Sequence, residues 1–158
     1  MINRLITSLL ALALLLFTGN ARADVFKPAY LQLTQVDQNT YDVMWKLPAL
    51  DESTSLKLKP RFPEGTQNLS QPQTAYAGGM SVQRWRISLP GGLNGKDVAI
   101  DGLAETRTDA IVRVERLDGS EQVGRLLPSG EAFRVMPSPG PLEVAQTYTV
   151  IGIEHILL

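Results

Sequence analysis

His155 is the only histidine in the 158-residue sequence, and Glu154 precedes it within the apolar run 148–158. Catalysis of the Ser-His-Asp kind needs a histidine base beside a serine, and no Gly-x-Ser-x-Gly turn occurs. The chain also has no cysteine, so it lacks the three or four ligands that common zinc sites require. The sequence therefore predicts a non-enzymatic protein without a cofactor.

Four carboxylates lie in one region of the sequence, at Asp101, Glu105, Asp109 and Glu115. A glycosidase uses two such groups on either side of the scissile bond. Acidic residues on and between surface strands more often form a solvated face, and we favour that interpretation.

Five basic residues could form a stripe if their strands are neighbours: Lys57, Lys59, Arg61, Arg84 and Arg86. Charges on edge strands also prevent edge-to-edge aggregation, and this second interpretation is favoured. Trp45 and Trp85 both fall at inward positions of predicted strands. We interpret them as core residues rather than as platforms on which a ligand stacks.

The elements that position these residues are strands, because the dominant hydrophobic period is two. Tyr41, Val43, Trp45 and Leu47 share one face of the clearest strand, which we pair with 30–36 in an antiparallel hairpin. Further strands are predicted at 56–62, 80–89, 96–100, 109–117, 122–127 and 133–136. Pro60 assigns the third strand to a sheet edge, and the polar stretch 63–79 is predicted to be a long surface loop.

About eight short strands with turn signals between them predict an all-β protein. We expect an antiparallel two-sheet sandwich, similar in architecture to immunoglobulin or fibronectin type III domains; a small barrel is the alternative.

The two ends of the chain differ from this body. Residues 1–23 combine Arg4, an apolar stretch and Ala21-Arg22-Ala23, which is typical of a cleaved secretory signal peptide. The sandwich is predicted over 24–136, a Pro-rich linker over 137–143 and an apolar segment over 144–158. Cleavage leaves a net charge of −3, which does not indicate a nucleic-acid partner.

The apolar segment allows two interpretations. It is either the last element of a small soluble domain or the beginning of a membrane helix that is cut short, since 11 residues from Tyr148 to Leu158 are fewer than the ~20 that span a bilayer.

Gly152-Ile153-Glu154-His155-Ile156-Leu157 resembles the start of the first membrane helix in the HupE/UreJ-like group of bacterial membrane proteins. The mature region is similar to that group's extracytoplasmic domain at these positions: 28–31, 41–48, Gly92-Leu93, Gly95, Gly102-Leu103, Thr106, Thr108-Asp109, Arg113-Val114, Leu127-Pro128 and Phe133. The resemblance implies an exported β-domain ahead of a multi-helix membrane unit and a link to nickel handling. It also implies that Glu154 and His155 are the positions that contact metal.

We therefore expect a non-catalytic, periplasmic domain whose partner is a membrane-embedded unit or a periplasmic protein, with membrane association through 144–158. The alternative is a free-standing periplasmic binding or assembly module.

Overall fold

A computed structural model describes residues 27–48, 57–130, 132–138 and 140. Within them the chain forms ten strands and one short 3₁₀ turn at Leu103–Glu105. The strands are β1 Ala29–Gln35, β2 Thr40–Pro48, β3 Lys59–Arg61, β4 Gln67–Asn68, β5 Gln73–Ala77, β6 Met80–Ser88, β7 Asp97–Asp101, β8 Ala110–Glu115, β9 Glu121–Leu126 and β10 Phe133–Arg134.

The strands form two sheets, which confirms the predicted all-β sandwich. The large sheet has the order β4-β6-β2-β1-β8-β9, and β5 pairs with β6 alongside β4. The small sheet has the order β10-β7-β3. The predicted signal peptide and the apolar segment 144–158 lie outside the described residues.

The predicted antiparallel hairpin of β1 and β2 is confirmed, and its register places Leu31 opposite Trp45 and Leu33 opposite Val43. One pair departs from the predicted antiparallel arrangement: β1 and β8 are parallel, with Leu31 opposite Val112. The long connection between β1 and β8 passes through the small sheet. It can therefore return the chain in the same direction, which a tight hairpin turn cannot do.

Two further predictions need correction. The stretch 63–79 is not a continuous loop, because it contains β4 and β5; all five residues of β5 are exposed, so no hydrophobic alternation marked it as a strand. The third strand is shorter than predicted, since β3 covers Lys59–Arg61. Its place at the edge of the small sheet is confirmed, as expected for a strand that contains Pro60.

The core lies between the two sheets, where alternate side chains of each strand point inward. The large sheet contributes Leu31, Leu33, Val43, Trp45, Ile87, Val112 and Val114, and the small sheet with its flanks contributes Leu58, Val98, Ile100, Phe133 and Val135.

The sandwich has two distinct ends. We call the end with Lys27, the Gly78-Gly79 turn and the 3₁₀ turn the entry end; there Lys27 Nζ donates a hydrogen bond to the carbonyl of Gly78 at 3.1 Å. We call the opposite end the exit end. It carries the turns 36–39 and 117–120, the loop 89–95 and residues 135–138.

Candidate functional site

An open groove of about 750 Å³ lies between the inner face of the large sheet and the edge of the small sheet. It exists because the small sheet has three strands and does not cover the full width of the large one. Its lining comes from β2 and β6, from the β3 region, and from β4 and the residue before β5: Trp45, Leu47, Gln83, Trp85, Lys57, Leu58, Lys59, Pro60, Phe62, Asn68 and Pro72.

Two aromatic side chains dominate this groove. The rings of Phe62 and Trp85 meet edge to face, with centroids 6.3 Å apart and planes at 70°, which is a preferred geometry for aromatic pairs. Trp45 beneath them is only 1% exposed, so its predicted core role is confirmed. Trp85 is partly buried against the core and lines the groove, so its predicted role as a core residue is only half right.

The rim of the groove is cationic. Lys57 and Lys59 are exposed there, and among the described residues no carboxylate lies within 4.0 Å of either ammonium group. The neighbouring Arg61 differs, because its Nε lies 2.7 Å from Asp101 Oδ1. An apolar floor with a positive rim suits a ligand that joins an apolar body to an anionic group.

A second groove of about 770 Å³ crosses the outer face of the large sheet, under the loop 69–73. Two of its three charged side chains pair with each other, because Arg86 donates to both carboxylate oxygens of Asp42, at 2.6 and 3.0 Å; Arg84 Nη2 instead lies 3.6 Å from Met44 Sδ. The hydrogen bonding to Asp42 raises the pKa of Arg86 above its usual value. The pair leaves less unbalanced charge here than at the lysine rim of the first groove.

The basic stripe considered from the sequence does not form. Lys57, Lys59 and Arg61 belong to the β3 region of the small sheet, whereas Arg84 and Arg86 lie on β6 of the large sheet, and the two strands are not paired. The interpretation as edge protection holds for the residues at β3. It is wrong for those on β6, since β6 is flanked by β2 on one side and by β4 and β5 on the other.

Three of the four carboxylates considered for glycoside cleavage are paired with separate arginines. Asp101 contacts Arg61, Asp109 contacts Arg125, and Glu115 contacts Arg113. Glu105 lies in the 3₁₀ turn. Distinct arginine partners agree with the favoured interpretation of these acids as a solvated, ion-paired surface.

At the exit end, hydrogen bonds hold Ser138, which lies in the predicted linker 137–143, to Asp118 and Ser120 of the turn 117–120. We call this set of hydrogen bonds the fastening. Ser138 Oγ donates to Asp118 Oδ2 at 2.5 Å and lies 3.1 Å from Ser120 Oγ, while the Ser120 amide donates to Asp118 Oδ1 at 2.9 Å. These hydrogen bonds, that of Ser138 foremost, lower the pKa of Asp118 to about 2. Arg116 adds a bond to the carbonyl of Met136 at 2.6 Å.

Three aliphatic side chains are exposed around this fastening. Val36, Leu117 and Met136 are 41%, 58% and 55% exposed, and we call them the exit-end rim. Their closeness follows from the parallel register of β1 and β8, which ends with Thr34 opposite Glu115, and from the Arg116 bond to Met136.

The predicted metal-contact residues, Glu154 and His155, lie outside the described residues. Within the part that the structure describes, no three His, Cys, Asp or Glu side chains come together as metal ligands. No helix among those residues has the length and apolar character needed to cross a membrane.

Neither groove could be identified from the sequence, because each depends on how far one sheet extends past the other. The only signal in the sequence was that Phe62 and Trp85 fall at inward positions of predicted strands with alternating hydrophobic residues. Comparison with known proteins adds no relative: no family model and no curated protein matches the chain.

Proposed function

We propose that the chain is a non-catalytic, exported β-sandwich domain of a HupE/UreJ-like membrane protein, which contacts the membrane-embedded unit through its exit end. The observation that carries this proposal is the fastening of Ser138 to Asp118 and Ser120 at the same end as the exit-end rim. Three exposed aliphatic side chains there can be removed from water by contact with an apolar surface.

The spacing along the chain supports this orientation. Residue 144, where the apolar segment begins, is six residues beyond Ser138. Six extended residues reach at most about 20 Å. Wherever the apolar segment lies, its first residue is therefore within that distance of the fastening, so a membrane unit at that segment would face the exit end.

The link to nickel belongs in this proposal to Glu154 and His155, the positions that match the family motif. The sandwich then serves as a cover or docking domain for the membrane unit. An ionisable pair within a membrane is costly and is usually kept for function, which is why the metal contact is assigned to those two residues.

Co-purification tests the proposal. The exported chain is expressed with a tagged membrane unit of a HupE/UreJ-like protein and captured from detergent extract. Leu117→Lys places a charge in the proposed contact, and we expect capture to fall about tenfold, as for the loss of one buried leucine contact. Val123→Lys is the matched control, because Val123 is 61% exposed on β9 and lies outside the rim.

Loss of capture with Leu117→Lys and normal capture with Val123→Lys is the expected result. Equal capture of both variants, or no capture of the unmodified chain, would refute the proposed contact.

A free-standing periplasmic binding module is the second candidate, and the aromatic groove is the observation that favours it. The probe 8-anilinonaphthalene-1-sulfonate has the expected chemistry, an aromatic body with one anionic group. If the groove is a binding site, Trp85→Ala and Lys59→Gln each weaken the binding of this probe. Arg84→Gln, on the opposite face of β6, does not. Binding that is unchanged by Trp85→Ala would exclude the groove as the site.

A further inference from the structure

Strand β5 is an edge of the large sheet without the protection that the other described edges have. All five of its residues are exposed, and among the described residues its backbone pairs only with β6. The N–H and C=O groups that point away from β6 form a row that a further strand can use.

The sequence of β5, Gln-Thr-Ala-Tyr-Ala, carries no charge and no proline. The other edges each have a protective feature. β3 has Lys59, Pro60 and Arg61; β4 and β10 are two residues long. β9 has charged residues, and its Gln122 side chain bonds the backbone of Arg134 and Met136. Charge, proline, shortness and coverage are the usual means of blocking edge pairing; β5 has no charge or proline and is five residues long, and no other described strand covers its outer edge.

We propose that β5 pairs with β5 of a second copy of this chain, antiparallel and about a two-fold axis at Ala75. This inference does not depend on the proposed function, because β5 lies along the side of the sandwich and not at the exit end.

The order of residues in β5 fits that pairing. With Ala75 opposite the Ala75 of the second copy, Thr74 lies opposite Tyr76 and Gln73 opposite Ala77. The pairing therefore sets an aromatic side chain against a β-branched one twice, a favourable cross-strand combination, and sets no like charges against each other. The same surface is used on both copies, as a two-fold interface requires.

Tyr76 supplies the larger side chain of the contact. It is 56% exposed and shares the sheet face of Ser81, its partner on β6. In the pair, each Tyr76 covers Thr74 of the other copy, and one sheet continues through both molecules.

Cysteine crosslinking tests the pairing directly, because the chain has no cysteine of its own. Ala75→Cys puts one thiol in each copy at the two-fold axis. Directly opposed residues of antiparallel strands have Cα atoms ~4.5–5.5 Å apart, within the range that a disulfide bridges. The full exported chain is oxidised with copper phenanthroline and separated on a non-reducing gel.

Two controls fix the interpretation. Tyr76→Cys places thiols on the same strand but about 8 Å from each other across the axis, beyond the ~7 Å limit for a disulfide. Val123→Cys places a thiol on β9, away from the interface. Circular dichroism checks that each variant is folded.

We expect a disulfide-linked dimer with Ala75→Cys at least tenfold faster than with either control. We also expect Ala75→Lys, which opposes two ammonium groups, to sediment as a monomer at concentrations where the unmodified chain sediments as a dimer. The proposal would be overturned if Ala75→Cys formed the disulfide-linked dimer no faster than Val123→Cys. It would also be overturned if Tyr76→Cys formed the dimer faster than Ala75→Cys, because that result indicates another register. A monomeric unmodified chain would also overturn it.

Discussion

Gly124 on β9 has no side chain because the ring of Phe133 occupies that space. A Cβ atom on Gly124 would lie 2.5 Å from Cε2 and 2.8 Å from Cδ2 of Phe133, and Phe133 is only 7% exposed. The contact fastens β10, a strand of two residues, against the large sheet.

Gly124→Ala is therefore expected to lower the free energy of unfolding by about 1–3 kcal/mol, the usual cost of overpacking a core. Urea denaturation measures the change. Gly140→Ala is the matched control, since a Cβ there meets nothing within 4 Å among the described residues. Equal stability of the two variants would show that Phe133 moves aside without cost.

Tyr41 holds the exit-end loop from inside the core. Its hydroxyl accepts a hydrogen bond from the buried amide of Leu93 at 3.1 Å, and the side chain is 3% exposed. Tyr41→Phe leaves that amide without its partner and is expected to cost about 1–3 kcal/mol of unfolding free energy.

Thermal and urea denaturation measure this effect, with Tyr76→Phe as the control because Tyr76 is 56% exposed. A Tyr41→Phe variant as stable as Tyr76→Phe would mean that water replaces the hydroxyl.

At the scale of elements, the two tryptophans on neighbouring strands β2 and β6 have different surroundings. Trp45 is sealed in the core, whereas Trp85 lines the open groove. Acrylamide should quench the fluorescence of Trp45→Phe, in which Trp85 remains, more strongly than that of Trp85→Phe. Equal quenching in two folded variants would contradict the open groove.

The fastening of Ser138 to the β8–β9 turn depends on the charge of Asp118. Its folded pKa of about 2 lies below the ordinary value of 3.8. Because the pKa is lower in the folded state, the carboxylate contributes its full stabilisation at pH values above the pKa of the unfolded chain. This stabilisation is lost as the pH falls through the folded pKa.

The unmodified chain should therefore unfold at higher urea concentration than Asp118→Asn above about pH 4, and this difference should shrink between pH 4 and pH 2. Urea titrations at several pH values measure it. A difference that stays constant across this range would show that Asp118 does not carry the fastening.

The strands with alternating hydrophobic residues could be predicted, as the hairpin of β1 and β2 illustrates, because one face of each is buried. β5 could not be predicted, since none of its residues is buried and its pairing depends on the backbone of β6. The parallel pairing of β1 with β8 and the half-exposure of Trp85 could not be predicted either. Both depend on contacts between distant segments that leave no local period in the sequence.

At the scale of the whole molecule, the described chain begins at the entry end and reaches Ser138 at the exit end. The exit-end rim is exposed beside that point, and the groove and the β5 edge lie along the sides. In the proposed arrangement the exit end faces the membrane unit, so both side surfaces stay accessible to partners in the periplasm.

The most direct test of the proposed orientation measures the accessibility of single cysteines in cells that contain both this chain and the membrane unit of a HupE/UreJ-like protein. Leu117→Cys reports on the exit end and Glu105→Cys on the entry end. A membrane-impermeant maleimide is predicted to label Leu117→Cys more slowly in membranes than in the purified chain, while the rate for Glu105→Cys stays the same. Equal rates for Leu117→Cys in both preparations would contradict the account.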